Sequence, residues 1–369
     1  MKTITVTFHH TTNYGAVLQT YALQQSIMSL GHDNVVLETK TYPSTKKSQK
    51  GIYATARRLY FSLLYHLRKK EYRKLQEHFR QFHQNRLHLT RAYTSMEELA
   101  TDISRREDAM ITGSDQVWNM KTVPRLLDSR FLKFGKEDAI RFSYAASIEE
   151  LDYSEEQKKY VAEALKSFKG VSLREESARK YIEDITNKEC RRVLDPVFLL
   201  SQQQWNSIAT EPRYKGKYIL CYQVQRNKRI EEVAYSLKRK YGYPVISICN
   251  SPIRWMRSDY SYYDVPIEEF LGFYRNAAFV VSASFHGVAM GLVFEKPVFA
   301  MIKGARSNRI KELMNLFQLD KYVIDERFGS SIPEYSTNDM EKAWCLKNKY
   351  IISSEGYLID MLNNGQVNS

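Results

Sequence analysis

Residues 278–301, AFVVSASFHGVAMGLVFEKPVFAM, decide the fold. AFVVSAS (278–284) is the most apolar strand-like run of the second half of the chain, with β-branched Val280 and Val281 at its centre. Such a run suits a strand buried on both faces. FHGVAMGLVFE then reads as a helix, and KPVFAM (296–301) as the next strand. Strand, helix and strand in immediate succession make a β-α-β unit, and β-α-β units make parallel sheets.

Moving outward, the pattern repeats. Before it lie strand YILCYQV (218–224), helix KRIEEVAYSLKRKYG, strand PVISIC (244–249) and helix PIEEFLGFYRNA (266–277). After it come helix SNRIKELMNLFQ (307–318), the short strand YVI (322–324) and a helical tail. The first half carries its own series. Strand TITVTF (3–8) leads into helix AVLQTYALQQSIMSL, which stops at Gly31, and then strand NVVLET (34–39). A helix near 95–105 and strands DAMITG (108–113), IRFSYAA (140–146), GVSL (170–173) and RRVLD (191–195) follow, with helices after Ser154 and at EESARKYIEDI. Two series imply an α/β protein of two Rossmann-like, doubly wound domains facing each other across a cleft. A single β/α barrel fits less well, because of the long insertions and the break near 201–216, which reads as a linker. The expected domains are 1–205, with a basic helical insertion at 46–91, then 206–345, then a helical tail at 346–369.

A chain of 369 residues has the length for two cores, and 43% hydrophobic with 26% charged residues is a globular balance. No stretch is long and apolar enough to cross a bilayer, and the start MKTITVTFHHTTNYG lacks a secretory h-region, so a cytoplasmic protein is expected. The formal charge of +13 is concentrated: from Lys46 to Arg91 there are thirteen Lys and Arg against two Glu. This amphipathic basic stretch is either a solvated helix face or a peripheral contact with an anionic membrane or a phosphorylated acceptor. No nucleic-acid-binding signature accompanies it, so nucleic acid is not an expected partner. Cys190, Cys221, Cys249 and Cys345 form no CxxC pair and stand near no His at ligand spacing. They read as reduced thiols, and neither a metal nor a cofactor is expected.

In open α/β sheets ligands bind beyond the carboxyl ends of the strands. That rule selects five places. The first is His9-His10-Thr11-Thr12-Asn13-Tyr14-Gly15, after the first strand. Gly15 and the following helix N-terminus suit a ligand, or Thr12 or Asn13 simply caps the helix. The second is Gly113-Ser114-Asp115-Gln116-Val117-Trp118-Asn119, either a sugar or phosphate rim or a cap beside a core Trp. The third is Ser282-Ala283-Ser284-Phe285-His286-Gly287, where His286 is a candidate general acid or base. The fourth is Arg174, able to fork onto an anion or to pair with a neighbouring Glu. The fifth is Arg306-Ser307-Asn308-Arg309, cations at a helix start. There is no GxGxxG, so a nicotinamide cofactor is not indicated.

Taken in order, TFHHTTNYGAVLQTYAL, ITGSDQVWN, SYAAS, VSLREESARKYI, VLDPVFLL, VVSASFHGVAMGLVFEKPVFAM and SNRI resemble the polysaccharide pyruvyl transferase family over almost the full length. GSDQVWN and SFHG with KPVF are the specific parts. The resemblance implies a GT-B-like fold, phosphoenolpyruvate as donor and a nucleotide- or lipid-linked sugar of a surface-polysaccharide precursor as acceptor. The implied product is a pyruvate ketal. It assigns acid/base chemistry to His286 and a hold on the donor to Arg174. Ser284, Gly287, Arg306, Asn308 and Arg309 would line the donor site. His9, Asn13, Tyr14, Gly15, Gly113, Ser114, Asp115, Gln116 and Trp118 would line the acceptor side. Family members carry an Arg two residues before the His. Here Ser284 stands in its place, which identifies a subgroup and leaves Arg306 or Arg309 to supply the cation. Two other functions share this layout: a GT-B-type glycosyltransferase with a nucleotide-sugar donor, and a non-catalytic glycan- or membrane-associated protein.

Overall fold

The computed structural model describes residues 1–10, 12–39, 66–103, 107–122, 126–148, 150–224, 227–250, 256–303, 308–325 and 332–363. The chain divides into two compact units. One comprises Met1–Tyr42, His83–Leu200 and Cys345–Ser369, the other Pro43–Phe82 and Ser201–Trp344.

In the first unit the strands are β1 (Lys2–Val6), β2 (Asp33–Thr39), β3 (Leu89–Tyr93), β4 (Ala109–Thr112) and β5 (Ile140–Ser143). They pair in parallel in the order β3-β2-β1-β4-β5. Strands β6 (Val171–Leu173) and β7 (Cys190–Arg192) pair with each other, and parallel bridges Phe142–Gly170 and Ala146–Leu173 join them to the β5 side. Helix α1 (Tyr14–Ser29) follows β1, and α3 (Met96–Ile103), α4 (Leu127–Arg130), α5 (Glu155–Leu165) and α6 (Glu176–Thr186) complete the series, while α2 (Lys69–Arg86) lies in the second unit up to Phe82 and enters the first at His83.

The second unit opens with α7 (Gln202–Ile208). Then come β8 (Ile219–Tyr222), α8 (Lys228–Tyr241), β9 (Val245–Ile248), β10 (Tyr260–Tyr262), α9 (Ile267–Asn276), β11 (Phe279–Ser282), α10 (Phe285–Val293), β12 (Val298–Met301), α11 (Asn308–Leu316) and β13 (Val323–Ile324). This sheet is parallel throughout, in the order β10-β9-β8-β11-β12-β13. Helix α12 (Thr337–Asn363) ends the described chain.

Both sheets therefore have the Rossmann order 3-2-1-4-5, and the second extends it to a sixth strand. Successive strands step one way from the first strand and then the other way. With right-handed crossovers, that reversal puts helices on both faces. The local signals are ordinary ones. Asn13 caps α1 by accepting the Gly15 N–H at 3.1 Å. Ser154 and Gln157 form a reciprocal capping box on α5, and Gly242, at φ 74°, ends α8. Strand β4 is buried at all four positions, as are β8, β9, β11 and β12. Each is a fully covered central strand.

Three elements depart from expectation. Strands β3 and β10 are short edge strands with mostly half-exposed residues, so neither carries a continuous apolar run. The expected linker 201–216 contains α7, fixed by the Ser201–Gln204 capping box and by the fully buried Trp205. Of the basic segment, residues 46–65 lie outside the described residues. Its described helix α2 buries Leu75, Phe79 and Phe82. In the second unit the Arg68 guanidinium lies 3.7 Å over the Tyr263 ring, and Lys74 pairs with Asp264 at 3.5 Å. No helix among the described residues is long and apolar enough to cross a membrane.

Candidate active site

Strand order reverses between β1 and β4 in the first unit and between β8 and β11 in the second. Ligands of open α/β sheets settle beyond the carboxyl ends of strands at such a reversal.

In the second unit this edge holds Gln223, Ser282, Ser284 and His286, all buried. The Ser282 hydroxyl donates to the Tyr222 carbonyl at 2.6 Å and accepts the Ser284 N–H at 3.1 Å. That pair of bonds ties the end of β11 to the end of β8 and sets the start of α10. Ser284 is the N-cap residue, yet its side chain makes no capping bond. His286 sits in the first turn of α10 with Phe285 edge-on at 5.2 Å, and only 8% of its surface reaches solvent. A Cβ on Gly287 would meet the Ser282 hydroxyl, so only glycine lets this helix start so close to the strand end. Gln223 accepts the Asn227 N–H at 2.9 Å, and its Nε2 is buried with no hydrogen-bond partner among the described residues. On α11, Asn308 is exposed and Arg309 half-buried. Arg306 lies outside the described residues.

In the first unit the structure brings the loops after β1, β4, β5 and β6 together. Thr7 donates to the Ser114 carbonyl at 2.8 Å, and the Ser147 N–H to the Asp115 carbonyl at 3.0 Å. Gly113 presses against Thr7, where a Cβ would stand 3.0 Å from the Thr7 Cβ. Asp115 holds the left-handed conformation at φ 70°. Arg174 is buried and donates to Glu175 at 2.8 Å and to Asp195 at 2.6 Å. Ser114 also donates to Asp195, at 3.0 Å. Burial disfavours the Arg174 charge, but the neighbouring carboxylates outweigh it and raise its pKa. Of the two roles open to Arg174, the structure thus displays the ion pair. Trp118 is fully buried, stacked on Phe131 at 5.8 Å, and donates to the Arg130 carbonyl at 3.2 Å. It is a core indole, not a rim residue, because its polar N–H is already used. Tyr14 and Gly15 are likewise buried. Gln116 is half-buried and bonds Asn119 at 3.2 Å.

His9 is fully buried. Its Nε2 lies 3.0 Å from Glu38, and the other Glu38 oxygen lies 2.9 Å from His10 Nδ1. Burial alone would raise the Glu38 carboxyl, but the bonds to His10 and His9 outweigh it and pull it down to about 2. Burial pushes His9 down as well. His83 stands edge-on to His9 at 5.9 Å, and burial, with His9 beside it, holds its pKa near 4. Arg130 lies 4.1 Å over the Phe8 ring, and burial lowers its pKa to about 10. Glu38, His83, Arg130 and Gln223 were not legible as site residues. Glu38 reaches His9 only through the pairing of β1 with β2, and no local motif marks the others.

The fold is that of an α/β protein with two parallel sheets of Rossmann strand order. The family model for polysaccharide pyruvyl transferase matches residues 13–302, most of the chain. The chain belongs to this enzyme family, as its motifs suggested. No curated protein matches it by sequence. Among solved structures it is similar to UDP-GlcNAc 2-epimerase from Neisseria meningitidis, at 11% identity and TM-score 0.49 over 99% of this chain and 100% of that one. It is also similar to the E. coli heptosyltransferase WaaC with ADP, at 11% identity and TM-score 0.43 over 94% and 100% of the two chains. The UDP-GlcNAc 2-epimerase from Methanocaldococcus jannaschii gives 11% identity and TM-score 0.48 over 98% and 99%.

Proposed function

We propose that the protein transfers a pyruvyl group from phosphoenolpyruvate to a sugar of a surface-polysaccharide precursor, forming a pyruvate ketal. The observation that carries this is the position of His286. It stands in the first turn of the helix that follows β11, at the strand-order reversal of the second sheet, within a chain of this family. The donor's enol methylene takes up a proton and becomes a methyl group. A sugar hydroxyl then adds to the neighbouring carbon and loses its proton. The carbon–oxygen bond to phosphate breaks, and a second hydroxyl closes the ketal, again losing a proton. One proton is thus consumed by the methylene, and the other leaves with phosphate. His286 is the group that gives and takes these protons.

The N–H groups at the start of α10 and Arg309 at the start of α11 suit the donor's anionic groups. Arg174 acts as a positioning residue, through Asp195 and Ser114. Within the first unit, Gly113, Ser114, Asp115 and Gln116 suit the hydroxyls of a sugar.

The test supplies phosphoenolpyruvate with a panel of nucleotide- and lipid-linked sugars and follows phosphate release and product mass. Release of phosphate with a pyruvylated sugar supports the proposal, and neither across a broad panel counts against it. Stabilisation against heat by a nucleoside diphosphate, with none from phosphoenolpyruvate, together with glycosyl transfer in product analysis, indicates a nucleotide-sugar donor instead.

A further inference from the structure

His9, His10 and Glu38 present one ligand atom each, and these atoms all lie within 4.8 Å of one another. The hydrogen-bond accounting at His9 is unbalanced. Its Nδ1 faces the Thr7 carbonyl at 3.3 Å, and its Nε2 faces a Glu38 oxygen at 3.0 Å. A carbonyl accepts only, and so does an ionised carboxylate. A neutral imidazole has one N–H and one lone pair. With the N–H on Thr7 the Nε2 lone pair faces the carboxylate, and with the N–H on Glu38 the Nδ1 lone pair faces the Thr7 carbonyl. A metal cation between Nε2 and the carboxylate resolves the conflict, with no proton required there.

The rest of the arrangement matches that solution. A histidine ligand normally donates its other ring N–H to a carbonyl or carboxylate, which fixes its tautomer, and Thr7 does this for His9. His10 offers Nδ1 to the other Glu38 oxygen at 2.9 Å, while its Nε2 lies 3.3 Å from the Thr39 hydroxyl. Each imidazole thus already lies against its own Glu38 oxygen, at 3.0 and 2.9 Å, inside the roughly 3.4 Å edge of a tetrahedron with bonds of about 2.1 Å. Sharing one oxygen at that spacing takes a rotation of His10, the more exposed of the two imidazoles. His83 packs edge-on against His9 and limits its ring motion.

We infer that His9, His10 and Glu38 form a binding site for a divalent first-row transition metal of the zinc type. Two imidazoles and one carboxylate leave a coordination position open for water or a substrate oxygen. The site lies at the carboxyl end of β1 and β2, and the inference is independent of the donor chemistry assigned to His286.

The experiment uses the full chain without a histidine tag, stripped with a chelator and titrated with Zn2+ in a calorimeter, with bound metal counted after gel filtration. One zinc per chain is expected. Glu38→Gln and His10→Gln should each raise the Kd by more than about 100-fold, beyond the loss that outer-sphere partners give. Circular dichroism checks that both variants fold. Cobalt substitution of the unaltered chain provides a readout that does not depend on the variants. Visible bands of a four- or five-coordinate ion without a thiolate charge-transfer band support the site. No stoichiometric metal, or a thiolate band, or unchanged affinity in folded variants overturns it.

Discussion

A Cβ added to Gly287 would lie 2.2 Å from the Ser282 hydroxyl oxygen and 2.9 Å from Tyr222 Cδ1. The candidate histidine is therefore placed by a close approach between the end of β11 and the first turn of α10. Gly287→Ala should lower stability by about 1–3 kcal/mol, the usual cost of overpacking. Combined with Ser282→Ala, the loss should be smaller than the sum of the two single losses, because the nearest obstacle is then gone although the two Ser282 bonds go with it. Thermal melts of these variants and the parent chain measure this. Equal stability of Gly287→Ala and the parent would show that the helix start has room it lacks here.

Arg174 and Asp195 are both buried and joined at 2.6 Å, with Glu175 on the other side of the guanidinium. Arg174→Met leaves two carboxylates with no counter-charge and should cost about 3–5 kcal/mol. Arg174→Lys should also lose much stability, because one ammonium cannot reproduce the fork. Chemical denaturation checks both. If Arg174→Lys kept full stability and only raised the KM for the donor, Arg174 would be a donor ligand and not a positioning residue.

Acid should weaken the second unit through Asp264. Burial alone would raise this carboxyl, but the bonds from Arg213 and Lys74 hold it below its ordinary value. A carboxyl depressed in the folded state adds stability above its unfolded pKa of about 3.9 and loses it as pH falls through the folded value. Asp264→Asn should therefore lower the urea midpoint at pH 7, by an amount equivalent to about 1 kcal/mol. It should also make the midpoint fall less steeply below about pH 4. An unchanged acid slope would mean that the pair with Arg213 adds nothing.

The four cysteines should react at very different rates. Cys190, Cys221 and Cys249 are buried and Cys345 is exposed. Burial also pushes the Cys190 thiol up to about 12 and raises Cys221 further. A thiol reagent near pH 8 should modify one cysteine per native chain quickly, and all four only in denaturant. Two or more fast thiols in the native chain would contradict this packing.

Much of the fold was legible because central strands of parallel sheets are buried at every position and mostly apolar. Phe279–Ser282 and Val298–Met301 are such strands, and the helix between them starts at the expected turn. Leu89–Tyr93 and Tyr260–Tyr262 lie at sheet edges with polar or half-exposed residues, so no apolar run marks them. The site was legible in part. His286 could be placed because a strand end and a helix start bracket it directly. Trp118 had two readings, since sequence cannot say which way an indole turns, and the structure puts it in the core. Arg174 likewise had two readings, because Asp195 reaches it only once β6 and β7 pair. The His9–Glu38 contact was invisible for the same reason: it arises from the parallel register of β1 on β2.

The central claim is that the β8/β11 edge performs pyruvyl transfer through His286. It is tested most directly by comparing the unaltered chain with His286→Gln in transfer from phosphoenolpyruvate to whichever panel sugar is pyruvylated. The expected result is a fall in kcat of about 10²–10⁴-fold with an unchanged melting temperature. A folded His286→Gln enzyme that turns over at the parent rate would contradict it.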